Sequence, residues 1–175
     1  EKYEIEAGVL AKYDEALARL ADSGAEIMDI TLPKHDFSRI RRCGLIVVEA
    51  EGAVIHSQSL EDEPSQLSDS LLAFLEYGRK LSATKLVEAQ REIARVVELT
   101  SAAFSKVNAV LLPTTPQVAF DFDDPVPRSQ ADFTALANLT NRPAVSVPIG
   151  FSDADMPVGM QVLGHSWFDH EVLQV

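Results

Sequence analysis

The apolar residues of this chain change period as they go, and that change restricts the fold more than any other feature. Over 83–106, Leu86, Ile93, Val97 and Phe104 fall on one side of a helix, while Glu88, Arg91, Glu92 and Arg95 face water. Ser82 stands ahead of that run as its N-cap. Directly after it, Ala109–Leu112 is a short unbroken apolar run closed by Pro113, which predicts a strand buried on both faces. The same switch occurs upstream. Ile5–Asp22 carries Val9, Tyr13, Leu17 and Leu20 at helical spacing, with Gly24 at a left-handed C-cap position. Met28, Ile30 and Leu32 then alternate with Asp29 and Thr31 as a half-buried strand ended by Pro33.

The remaining segments follow the same logic. Asp36 caps a second helix whose apolar side is Phe37, Ile40, Val47 and Val54. Glu61–Ser70 reads as a loop and Leu71–Tyr77 as a short helix. Thr114–Arg128, with Pro116, Pro125 and Pro127, predicts a long loop of the kind that carries function. A helix over Ala131–Leu139 precedes strands over Ala144–Pro148 and Val158–Leu163, joined by a turn at Phe151–Pro157, and a helix begins at Phe168. Helices ahead of several strands predict an α/β fold in which helices flank a mixed sheet, with residues 1–175 forming a single domain.

Composition narrows the partners. The net charge of −12 argues against a nucleic-acid partner, whose phosphates need a surplus of Lys and Arg on one face, and against an anionic membrane surface. The single cysteine, Cys43, excludes an internal disulfide or a thiolate zinc site and fits a cytoplasmic setting. No apolar run approaches the roughly 18 residues of a membrane span. The chain opens at Glu1 without methionine and closes at Val175 within a starting helix, so both ends read as cut.

Residue chemistry offers candidates, each with a plainer role beside it. Ser82-Ala83-Thr84-Lys85 matches the S-x-x-K pattern, in which the lysine takes the serine proton one helical turn away. The K-T-G strand that accompanies that pattern is absent, and a capping serine explains the same residues. His35, His56, His165 and His170 have no metal-ligand spacing, so no metal and no cofactor is implied. Asp121, Asp123 and Asp124 read as a solvated face. Cys43, between Ile40 and Val47, reads as a small core residue. Asn138-Leu139-Thr140 fits a glycosylation acceptor, but between apolar segments in a cytoplasmic chain it carries no weight. No catalytic residue is assigned on these grounds.

Three ordered blocks say more. From Asn108 the chain runs N-A-V-L-L-P-T-T-P-Q-V-A, from Ala137 A-N-L-T-N-R-P-A-V-S-V-P-I-G, and from Met156 M-P-V-G-M-Q-V-L-G-H. Together they resemble the C-terminal blocks of the amidase-signature family. The helix followed by A-D-S-G-A-E-I-M-D-I-T-L-P, and the stretch Gly78–Gln90, are similar to earlier parts of the same family. Asn141 and Ala154-Asp155 stand where that family has glycine.

The resemblance implies the C-terminal portion of an amidase-signature fold. Such enzymes cleave carbon–nitrogen bonds with a Ser–Ser–Lys triad, a lysine activating one serine through another. The glycine- and serine-rich run that carries the serines does not occur between Glu1 and Val175. The chain is therefore expected to be inactive alone. It would contribute sheet core and one wall of a pocket for a small-molecule amide, with Thr114, Thr115, Pro116, Asp132 and Asn138 reaching the substrate. Its partner would be the missing N-terminal half, and its uncovered apolar faces predict self-association, a homo-oligomer included. Two alternatives stand beside this. One is a non-catalytic binding or assembly module of the same fold. The other is the amidase-like subunit of a glutamine-dependent tRNA amidotransferase, although Leu72-Ala73-Phe74-Leu75 lacks the arginine that those subunits carry before the glycine matching Gly78.

Overall fold

Three of the long helices start where a side-chain oxygen accepts an otherwise unpaired backbone N–H. In this computed structural model, which describes residues 3–31 and 35–174, Arg39 N–H donates to Asp36 at 2.9 Å, Leu71 N–H to Ser68 at 3.3 Å and Lys85 N–H to Ser82 at 3.2 Å. Each such cap contributes about 1 kcal/mol. In chain order the elements are α1 (Ala7–Asp22), α2 (Phe37–Ile55), α3 (Ser57–Asp62), a 3-10 turn (Pro64–Gln66), α4 (Asp69–Arg79), α5 (Ala83–Phe104), β1 (Val110–Pro113), α6 (Asp132–Leu139), β2 (Ala144–Phe151), β3 (Pro157–Leu163) and α7 (Asp169–Val172).

The strands pair in the order β1-β3-β2, antiparallel throughout. The α/β class and the three sheet-forming segments stand, with antiparallel pairing in place of a mixed sheet among the described residues. The register puts Val110 and Leu112 on one face with Gln161, Leu163, Ala144 and Ser146. That face meets the core: Leu163 packs with Ile40 of α2, Val96 and Phe104 of α5, and Leu136 and Ala137 of α6. Helix α1 touches all three strands, burying Val9 and Ala16 and donating from Tyr13 Oη to the Leu111 carbonyl at 3.0 Å. On the outer side α4 lies so close to α2 that a Cβ on Gly78 would come 1.8 Å from the Glu49 carbonyl oxygen.

Several expectations need correction. Strand β2 does not end at Pro148 but runs to Phe151, because a bulge between Pro148 and Gly150 absorbs the proline and Gly150 takes φ 138°. Strand β1 is half-buried rather than buried on both faces. Its outer edge has no strand partner among the described residues and opens on a cleft of about 900 Å³. Residues 25–31 line that cleft without forming a strand, while Leu32 and Pro33 lie outside the described residues. The Glu61–Ser70 loop is largely structured: it holds the end of α3, the 3-10 turn and the Ser68 cap.

Two helix faces also differ. On α5 the fully buried residues are Ala89, Val96, Thr100, Ala103 and Phe104, a stripe turned by about one position from the expected one. Glu92 does not face water: its side chain is 14% exposed and pairs with Arg95 at 2.7 Å and Arg39 at 3.4 Å. Val54 is 75% exposed. It lines a hollow of about 420 Å³ between the end of α2 and the start of α5.

Candidate functional site

The loop after β1 divides its three candidate residues between two tasks. Thr114 Oγ1 stands 2.6 Å from Ser146 Oγ of β2, although β3 runs between their strands. They meet because Gly159 of β3 has no side chain: a Cβ there would lie 2.8 Å from both oxygens. Thr114 N–H donates to the Gly159 carbonyl at 2.9 Å and fixes the approach. Ser146 is exposed and Thr114 half-buried. The result is two adjacent hydroxyls, each able to donate and accept, on the sheet face that carries α6.

Thr115 and Pro116 turn the other way. The Thr115 hydroxyl donates to the Gln117 carbonyl at 2.7 Å. Pro116 is buried, its carbonyl accepting the Glu6 N–H at 2.8 Å, while the Glu6 carboxylate accepts the Val118 N–H at 2.9 Å. Glu6 makes no cap hydrogen bond to α1. Its side chain is spent on tying the loop down, so the hydroxyl of Thr114 is presented from a fixed backbone.

Asp132 is a closed centre. It is 0% exposed, and its carboxylate accepts from Tyr3 Oη, Arg41 Nε and, at 2.6 Å, Ser38 Oγ. A buried carboxylate persists only when paired and hydrogen-bonded in this way. The Tyr3 ring packs on Phe133 with centroids 4.9 Å apart and on Phe37 at 5.8 Å. Burial first, then the Asp132 hydrogen bond and charge, hold the Tyr3 phenol protonated far above its ordinary range. Asp132 thus locks the chain start and α2 onto α6. Asn138, further along the same helix, is exposed. The structure brings Thr114 to Ser146 and Asp132 to Arg41, and Asn138 to neither pair.

Ser146, Arg41 and Tyr3 were not singled out from sequence, while Gly159 was legible there as a glycine that allows close backbone approach. The signal for Ser146 was a lone hydroxyl in an apolar strand. For Arg41 no local signal existed, since its partner lies 91 positions away.

The other candidates take their plainer roles. Ser82 caps α5, and the Lys85 ammonium lies 2.6 Å from Tyr77 Oη rather than on Ser82. Cys43 packs beside the core cluster, and burial pushes its thiol pKa up. His165 Nε2 lies 2.9 Å from the Val107 carbonyl, and His35 stands edge-on to Phe37 at 4.3 Å. Among the described residues no three His, Cys, Asp or Glu side chains cluster as a metal site, and no helix is long and apolar enough to cross a membrane.

The Amidase family model matches residues 1–173. This chain belongs to the amidase family. It is 30% identical over 200 residues to a glutamyl-tRNA(Gln) amidotransferase subunit from Rickettsia bellii (strain RML369-C), covering 98% of this chain and 40% of that protein. It is 27% identical over 176 residues to the fatty acid amide hydrolase of Medicago truncatula, covering 94% of this chain and 29% of that protein. A solved structure described as "Crystal structure of amidase" superposes with a TM-score of 0.87 at 23% identity, over 97% of this chain and 41% of that one. At that identity the likeness is one of fold. Among curated relatives matched over nearly all of this amidase-family chain, it spans about 40% of the protein from Rickettsia bellii and less of the plant hydrolase.

Both departures from the family pattern take a conformation that suits glycine. Asn141 takes φ 52° and Asp155 φ 57°, the left-handed conformation that glycine adopts freely and Asn or Asp tolerate best among the rest.

Proposed function

We propose that the protein carrying this chain hydrolyses an amide carbon–nitrogen bond, and that this chain is its C-terminal part. In this reading the Ser–Ser–Lys group lies outside these 175 residues, the chain alone is inactive, and it supplies sheet core and one wall of the substrate pocket. The observation that carries the reading is the Thr114–Ser146 pair: two hydroxyls 2.6 Å apart, open on the sheet face and fixed by the backbone behind them. An amide presents one donor and one acceptor, and a pair of hydroxyls matches both. Thr115, Pro116 and Asp132 hold that wall in shape, and Asn138 meets the substrate only from the rim. The N-terminal half would cover the exposed Phe151, Met156, Trp167 and Phe168, of which Trp167 is 92% exposed. A free, half-buried Cys43 fits a cytoplasmic setting.

A second reading has a specific observation in its favour. The relative from Rickettsia bellii is one subunit of a glutamyl-tRNA(Gln) amidotransferase, and it matches nearly the whole chain. Against it, 72–75 reads Leu-Ala-Phe-Leu, without the arginine expected there.

Fluorophosphonate labelling of the full-length protein and of this chain, side by side, tests the proposal. The expected result is an adduct on a serine outside residues 1–175 and none within them. An adduct on Ser82 would overturn it. No adduct on either would leave the non-catalytic module as the function.

A further inference from the structure

Tyr77 lies apart from the proposed pocket wall, near the end of α4, and three helices converge on it. Its phenol oxygen takes the Lys85 ammonium of α5 at 2.6 Å. Lys85 Nζ also lies 5.2 Å from the ring centroid, and the Arg42 guanidinium of α2 stands 5.0 Å from it. Arg42 is held in place by Glu49 at 3.1 Å. The neighbouring carboxylate, Glu76, is engaged by Arg79 at 2.7 Å and Lys80 at 3.0 Å. An ammonium and a guanidinium only donate, so neither accepts the phenol proton, and both favour the phenolate. The Lys85 hydrogen bond, opposed by desolvation and aided by the Arg42 and Lys85 charges, draws the Tyr77 pKa below the ordinary tyrosine value.

The other two tyrosines supply the contrast. Tyr3 donates a hydrogen bond to the buried Asp132. Tyr13 donates to the Leu111 carbonyl, and burial, with Asp14 and Asp29, pushes it up to about 12. Two phenols are thus committed as donors, and one is set up as an acceptor at the surface.

We propose that Tyr77 is a nucleophilic tyrosine, a covalent modification site for aryl sulfonyl fluorides, activated by Lys85 from α5 and Arg42 from α2. In the step, the phenol oxygen bonds to sulfur, the sulfur–fluorine bond breaks, fluoride leaves and the phenol proton passes to water. The products are an aryl sulfonate ester, fluoride and a proton carried off by water, and no oxidant or reductant is involved. Lys85 stabilises the negative charge on oxygen as the proton departs.

The test uses the full-length protein and an alkyne-bearing benzenesulfonyl fluoride, with the adducts mapped by tandem mass spectrometry. Tyr77 should carry the label while Tyr3 and Tyr13 do not, whatever becomes of any serine. Lys85→Met should slow labelling, and Lys85→Arg should restore most of the rate. In urea the three tyrosines should label alike, which separates activation by the fold from intrinsic reactivity. An unlabelled Tyr77, equal labelling of Tyr3 or Tyr13 in the folded protein, an adduct on Lys85 instead, or an unchanged rate in Lys85→Met would each overturn the proposal. None of these outcomes depends on the amide chemistry proposed above.

Discussion

Thr114 and Asp132 sit toward the same side of the sheet, yet the fold treats them in opposite ways. At Asp132 three donors from two distant parts of the chain converge on one carboxylate and shut it from solvent. At Thr114 the structure removes a side chain, at Gly159, so that two hydroxyls meet and remain open. A carboxylate buried under three donors has no open face for a ligand, and its energy goes into holding elements together. An open hydroxyl pair contributes little to stability and keeps its hydrogen-bonding capacity. The carboxylate of Asp132 thus serves to hold elements together, and the open pair of Thr114 and Ser146 is what the proposed pocket wall rests on.

The sharpest way to break this division is Asp132→Ala in the full-length protein. Removing one partner of a buried ion pair leaves the other charge uncompensated, here Arg41, and costs about 3–5 kcal/mol. Urea denaturation should show that loss, with Asp132→Asn losing less because the amide still accepts one hydrogen bond. If Asp132→Ala kept its stability and lost only activity, the carboxylate would belong to the pocket and the assignment above would reverse.

Gly159→Ala should have the next largest effect. Its Cβ would force Thr114 and Ser146 apart, since 2.8 Å to each oxygen is below any normal contact. Overpacking of this kind costs about 1–3 kcal/mol. The pocket reading adds a rise in KM beyond what Ser146→Ala produces, because the alanine displaces both hydroxyls at once. Equal KM values for Gly159→Ala and the parent protein would remove the pair from the pocket.

Local patterning made most of the fold legible. The caps at Asp36 and Ser82 and the three sheet segments follow from side chains within a few positions of where they act. What stayed hidden depends on distance or on neighbours. The 28–32 alternation has the period of a strand, but a strand exists only where an edge pairs with it, and residues 28–31 face an open cleft beside β1. Val54 has the spacing of a core residue, yet it lines an open hollow at the end of its helix. Thr114 was visible as a residue in the loop after the apolar run Ala109–Leu112. Its partner Ser146 was not, because their meeting depends on a glycine in the strand between. Asp132 was visible as polar, but its burial was not, because nothing near it in sequence reveals Tyr3 or Arg41.

The smallest effect belongs to Thr115, and it sharpens the comparison instead of breaking it. Its hydroxyl closes a turn by donating to the Gln117 carbonyl, and a single such hydrogen bond is worth about 1 kcal/mol. Thr115→Ala should therefore cost little stability, while Thr115→Ser should retain it, since the hydroxyl is what acts. The donor is committed but the acceptor lone pairs remain, so a role in the pocket would appear as a KM change of a few fold, restored in the serine variant. An unchanged KM with a small stability loss would make Thr115 a turn residue alone. The proposed wall would then narrow to Thr114 and Ser146, the two hydroxyls that Gly159 lets meet.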